Sequence, residues 1–235
     1  MNYNKVLHAR ENYYILFALN FLYLTLINAL FTPIEYINIL ILQNVLCLTI
    51  YQIFLIIISK KYEVYLNIPN LITNYRLVIN IYIFSMILNS HIFESEMILF
   101  FALISLILDG FDGKISRIIN ETSEFGNLFD QETDNILMLI LVISLIINHS
   151  FNIALLLIPL YRYIFLLLIK YKVISNDCLP PSNLRKFACV CMIISLIFVN
   201  YFNNLELLVS LMYIIIILIT FSFLKDINWL YRRNK

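Results

Sequence analysis

The chain has 235 residues, 62% of them hydrophobic and only 13% charged, with a formal net charge of +1. A mean hydropathy of +0.87 excludes a soluble globular domain. Apolar runs of about 20 residues, the length that crosses a bilayer, recur along the chain, so the expected surroundings are lipid, with no nucleic-acid partner.

Taken in order, eight spans are expected at 13–31, 36–58, 71–89, 96–112, 129–148, 151–170, 186–202 and 206–224. The fourth and seventh are short and are expected to extend into their polar flanks. The N-terminal stretch before the first span lacks an apolar core followed by a small-residue cleavage site, so no removable signal peptide is expected. Between the second and third spans, KKYEVYLNIPNLITNYR (60–76) interrupts the apolar pattern with charges, a proline and asparagines. Its partial amphipathicity suits a segment lying along the membrane surface, and Pro69 can open the helix that follows. This divides the chain into a tail with two accessory transmembrane helices (1–59), a six-helix core with a leading interfacial segment (60–225) and a basic cytoplasmic tail (226–235).

Lysine and arginine fall on alternate loops. Lys5 and Arg10 precede the first span, and Lys60, Lys61 and Arg76 lie around the second loop. Lys114 and Arg117 follow the fourth span, Lys170, Lys172, Arg185 and Lys186 the sixth, and Lys225, Arg232, Arg233 and Lys235 the eighth. The loops near 32–35, 89–96, 148–152 and 201–206 have none. The positive-inside rule then places both termini on the cytoplasmic side. The leftover cation is Arg162, inside the sixth span. Cys47, Cys178, Cys189 and Cys191 lack metal-ligand spacing and read as small buried residues. His8, His91 and His149 read as solvated, and Trp229 as an interface anchor. The abundance of Ile, Asn and Tyr reads as nucleotide-composition bias, without functional meaning.

The informative stretch is DGFDGKISRIINETSEFGNLFDQETD, 109–134, which holds every glycine of the chain, Gly110, Gly113 and Gly126. Carboxylates in a span cost on the order of 3 kcal/mol each by insertion scales. Asp109 and Asp112 are three apart and Asp130 and Asp134 four apart, so each pair lies on one helix face. If the fourth span ends at the first pair, a turn at 120–124 brings the pairs together, with Thr122 or Ser123 capping the next helix. Gly113 and Gly126 allow close backbone approach. Converging carboxylates repel unless cations neutralise them. Oxygen-only donors favour Mg²⁺ or Mn²⁺, which commonly complete their shells with substrate phosphates.

These residues resemble the signature of the CDP-alcohol phosphatidyltransferases, D-x2-D-G-x2-A-R-x8-G-x3-D-x3-D. Asp109, Asp112, Gly113, Arg117, Gly126, Asp130 and Asp134 are in register, and the one departure is Ser116 in place of alanine. IPNLITNYRL looks like the opening of the family's first core helix. The resemblance covers about 60–225 and leaves out the first two spans.

It implies an all-α membrane fold, with a six-helix core preceded here by two extra helices. It also implies transfer of a phosphatidyl group from CDP-diacylglycerol to a small alcohol, with release of CMP. Two Mg²⁺ or Mn²⁺ ions are expected, with Asp109, Asp112 and Asp130 as ligands and Asp134 as general base and further ligand. Gly113, Ser116, Arg117 and Gly126, with Asn70, Thr73 and Arg76, are expected to line the CDP-lipid side. Arg162, Arg185 and Lys186 are candidates to hold an anionic acceptor such as glycerol 3-phosphate. The resemblance further suggests a homodimer. A bacterial inner membrane is expected, with the acidic cluster placed on its cytoplasmic side by the positive-inside rule. Two alternatives fit the sequence less well. Membrane prenyltransferases carry two well-separated acidic motifs, and ion-coupled transporters favour carboxylates at mid-membrane.

Overall fold

The computed structural model describes residues 3–59, 67–119, 123–171, 173, 183–202 and 206–233; within these, the side chains of 3–13, 52, 54–59, 112, 116, 117 and 183–186 are outside the description. Of the interfacial segment expected at 60–76, residues 60–66 lie outside the described residues, as do Thr122 and Cys178, and from Ile68 onward it is helical. Among the described residues eight α-helices follow one another: α1 (Tyr3–Phe31), α2 (Ile37–Ser59), α3 (Ile68–Leu88), α4 (Ser95–Ile119), α5 (Glu124–His149), α6 (Leu157–Lys170), α7 (Asn183–Tyr201) and α8 (Glu206–Arg233). Single 3-10 turns, Ile34–Tyr36 and Ile153–Leu156, lead into α2 and α6. No strand occurs among the described residues.

Among the described residues six stretches are long and apolar enough to cross a membrane, in α1, α2, α3, α5, α6 with its leading turn, and α8. The chain is an all-α integral membrane protein. Outside this set stand α4, which carries acidic residues in its second half, and α7, whose described apolar part is the shorter Phe187–Tyr201. The fourth span extends into its polar flank, as expected, and α4 runs past the first aspartate pair to Ile119. On the other side of the turn, α5 begins at Glu124, ahead of Asp130 and Asp134. At 1.5 Å per residue, Asp109 and Asp134 each stand about 15 Å along their helices from this turn.

Local chemistry explains the helix starts. Asn67 caps α3, its side-chain oxygen accepting from the Asn70 N–H at 3.1 Å, and Pro69 occupies the first turn, where no N–H is needed. The Ser123 hydroxyl accepts from the Gly126 N–H at 2.9 Å and caps α5, as the sequence led one to expect. α8 continues without a break through Trp229 to Arg233, whose guanidinium lies 4.1 Å over the indole ring.

The chain forms two compact units, Met1–Asp134 and Asn135–Lys235. In the first, α3 is central: 72% of it is buried, against 28% and 22% for the spans in α1 and α2 that flank it. A buried polar seam joins the three. Asn74 of α3 donates to Asn20 of α1, and Ser85 of α3 donates to Asn44 of α2. Tyr82 shares a hydrogen bond with Thr32 at 3.1 Å, and Asn89 donates to Gln43 at 2.8 Å. Hydrogen-bonded asparagines between membrane helices act as glue, since lipid offers their amides no alternative partner. Asn20, Asn28, Asn44 and Asn74 are all fully buried, so these asparagines have a structural use that composition alone did not reveal. In the second unit, Tyr161 of α6 bonds Thr220 of α8 at 2.9 Å and stacks on Phe223, while Asn200 of α7 donates to the Leu141 carbonyl at 3.1 Å. Contrary to the expectation for the cysteines, Cys189 is exposed and Cys47 and Cys191 are half-buried, which in a bilayer places small apolar thiols toward lipid.

Candidate active site

Three helices of the first unit converge on one cation. Arg76 lies nine residues into α3 and is 0% exposed. Its Nη1 donates to Oδ1 of Asp130 on α5 at 2.8 Å. Its Nη2 lies 3.0 Å from Oδ1 of Asp109 on α4 and donates to Oδ1 of Asp134 on α5. The carboxylates keep 26%, 39% and 33% exposure at Asp109, Asp130 and Asp134. The guanidinium therefore closes the floor of the cluster while the acids line its open side. Each aspartate offers an oxygen within 4.8 Å of the others, so the two acidic helix faces do meet.

Arg76, expected around the second loop and on the CDP-lipid side, lies buried within α3 and is paired with acids. A planar guanidinium suits this position because its fork can address several carboxylates at once.

A polar brace that the motif did not flag lies one turn away. Ser105 of α4 donates to Asn80 of α3 at 2.7 Å, and Asn80 donates to the Thr133 carbonyl of α5 at 3.2 Å. All three groups are buried. Asn80 is four residues after Arg76, Ser105 four before Asp109, and Thr133 next to Asp134. The signal available was therefore helical register with the acidic positions.

Gly126 is a point of close approach. A Cβ there would stand 2.7 Å from Oδ1 of Asn70 and 3.0 Å from the capping hydroxyl of Ser123. The buried Asn70 thus fills the space that a side chain at 126 would need. At Gly113 a Cβ would meet nothing within 4 Å among the described residues. Thr73 is buried, and its hydroxyl donates to the Pro69 carbonyl at 3.1 Å. Asp112, Ser116 and Arg117 are carried by α4, and Arg185 and Lys186 by the first turn of α7, but their side chains are outside the description. Arg162 is half-buried on α6, in the second unit.

Three carboxylates against one guanidinium leave a formal charge of −2 at the described cluster. The donors are all hard carboxylate oxygens, with no imidazole or thiolate in the group. Such a donor set fits Mg²⁺ or Mn²⁺ and disfavours zinc.

A membrane-embedded helical fold with three clustered aspartates has the donors to hold a divalent cation. The CDP-alcohol phosphatidyltransferase family model matches residues 66–224, from the cap of α3 into α8, and the chain belongs to that family. No curated protein and no solved structure compared with it gives a match. Members of the family carry out phosphatidyl transfer in phospholipid synthesis with CDP-alcohol substrates and are generally dependent on divalent metal, so the chain is a membrane phosphotransferase. The prenyltransferase and transporter alternatives fall with that assignment. α1 and α2 lie outside the matched region.

Proposed function

We propose that this enzyme transfers the phosphatidyl group of CDP-diacylglycerol to the hydroxyl of a small alcohol, glycerol 3-phosphate being the leading candidate, and releases CMP. The observation that carries this reading is the convergence of Asp109, Asp130 and Asp134 on one small volume, in the register of the family signature.

Asp109, Asp112, Asp130 and Asp134 would hold two divalent cations, Mg²⁺ or Mn²⁺, which when bound supply neutralisation of the pyrophosphate charge and polarisation of its phosphorus–oxygen bonds. Asp134 takes the proton of the acceptor hydroxyl. The hydroxyl oxygen then attacks the phosphorus that bears diacylglycerol, and the bond from that phosphorus to the CMP oxygen breaks. The bonding pair leaves with CMP. Gly113 leaves backbone open to the nucleotide phosphates, and Arg117 and Ser116 follow it on the same helix, where a guanidinium fork suits a pyrophosphate. Asn70 and Thr73, with Gly126, shape the nearby wall. Arg162, Arg185 and Lys186 supply positive charge for an anionic acceptor. The alternation of basic loops supports a site and termini facing the cytoplasm.

The test is a panel assay. Purified protein receives CDP-diacylglycerol and, separately, glycerol 3-phosphate, serine, inositol phosphate or choline, and CMP release is followed. Release with one acceptor, foremost glycerol 3-phosphate, is expected. No release with any of them overturns the reading.

A further inference from the structure

Arg76 approaches the aspartates from the protein side, fully buried, while the carboxylates it holds remain partly open. All three engage it through Oδ1. Its charge is permanent, because a guanidinium does not lose its proton in proteins. Its side chain is 0% exposed, on a helix of which 72% is buried. Any divalent cation entering this cluster therefore meets a fixed positive charge, and like charges oppose one another.

We propose that Arg76 is a built-in counter-cation. It neutralises part of the carboxylate cluster in the metal-free protein and keeps divalent-cation binding weak until the anionic pyrophosphate of the substrate arrives. This rests on the reading of Asp109, Asp130 and Asp134 as cation ligands. The charge count gives the reason. With Asp112 included, four carboxylates and one guanidinium total −3, short of the +4 of two dications. A substrate pyrophosphate supplies the missing negative charge. Binding of the full complement of cations is thereby linked to binding of the CDP-lipid, and the linkage is reciprocal. Without Arg76 the metal-free cluster loses its internal partner, and an entering cation no longer meets its repulsion. Both changes favour the metal.

The experiment measures Mn²⁺ binding by electron paramagnetic resonance to full-length protein in phosphatidylcholine nanodiscs, with and without CDP-diacylglycerol. Without CDP-diacylglycerol, Arg76→Met should bind Mn²⁺ about tenfold more tightly than wild type, and Arg76→Lys, which keeps the charge, should stay near wild type. CDP-diacylglycerol should tighten wild-type binding by about tenfold and that of Arg76→Met far less. Binding to Arg76→Met equal to or weaker than wild type overturns the proposal, as does an Arg76→Lys affinity equal to that of Arg76→Met. Where Arg76→Met is too unstable to titrate, its melting temperature is read against Mn²⁺ concentration. A larger upward shift than in wild type is expected, because a tighter ligand stabilises more; an equal or smaller shift overturns the idea. Unchanged Mn²⁺ binding in Asp130→Asn instead removes the ligand reading itself, and the proposal with it.

Discussion

A buried arginine ringed by three aspartates is an arrangement that membrane helices hold only when the charges compensate one another, because an unpaired charge in that setting costs several kcal/mol. Within the ring, Asp134 is the group assigned to proton transfer. Asp134→Asn should therefore lower the rate of CMP release by roughly 10²- to 10⁴-fold, the usual contribution of a general base, while leaving a folded protein by size-exclusion chromatography. Gly126 tests packing instead of chemistry. Gly126→Ala drives a methyl group to 2.7 Å from Asn70 Oδ1 and should cost about 1–3 kcal/mol of overpacking, less about 1 kcal/mol of helix propensity. The loss should shrink when Asn70→Ala is added, and a double-mutant cycle on thermal melting measures that coupling. For the acceptor, Arg162→Ala should raise the apparent KM for glycerol 3-phosphate well above any change for CDP-diacylglycerol; equal effects on both would count against its role. At this scale the aspartates and the Ser123 cap were legible because their spacing is local, three or four residues. Arg76 was not, because Asp130 and Asp134 are 54 and 58 residues away from it in the chain.

Among the elements, α3 organises the site. It carries Arg76 and Asn80 on the face toward the acidic helices, while Asn74, Tyr82, Ser85 and Asn89 bond α1, α2 and the residue just after α1. The two leading helices thus satisfy polar groups that the core would otherwise turn toward lipid. Removing residues 1–59 should destabilise the remainder by about 2–3 kcal/mol, taking four lost hydrogen bonds at about 0.6 kcal/mol each. The check is the melting temperature of the 60–235 fragment against the full chain, and an unchanged value would show that α1 and α2 are mere additions. Hydropathy located these helices well, since lipid thickness dictates their length. It could not locate the ends of α4, because there the helix continues for reasons of backbone pairing through polar residues that the apolar pattern does not mark. Nor could composition separate buried asparagines from those enriched by coding bias; only the partner across the interface does that.

For the molecule as a whole, a near-neutral chain in lipid gathers three carboxylates in one place, and it belongs to a family that carries out phosphatidyl transfer. The proposed acceptor cations, Arg162 on α6 and Arg185 and Lys186 at the start of α7, belong to the second compact unit. The most direct measurement is CMP release from CDP-diacylglycerol by the purified protein, with glycerol 3-phosphate and Mn²⁺, before and after chelation. Turnover that is lost on adding chelator, regained with fresh Mn²⁺ or Mg²⁺, and absent in Asp130→Asn is the predicted result. Turnover that persists in chelator, or that survives in Asp130→Asn at the wild-type rate, would contradict a metal-neutralised site at these aspartates.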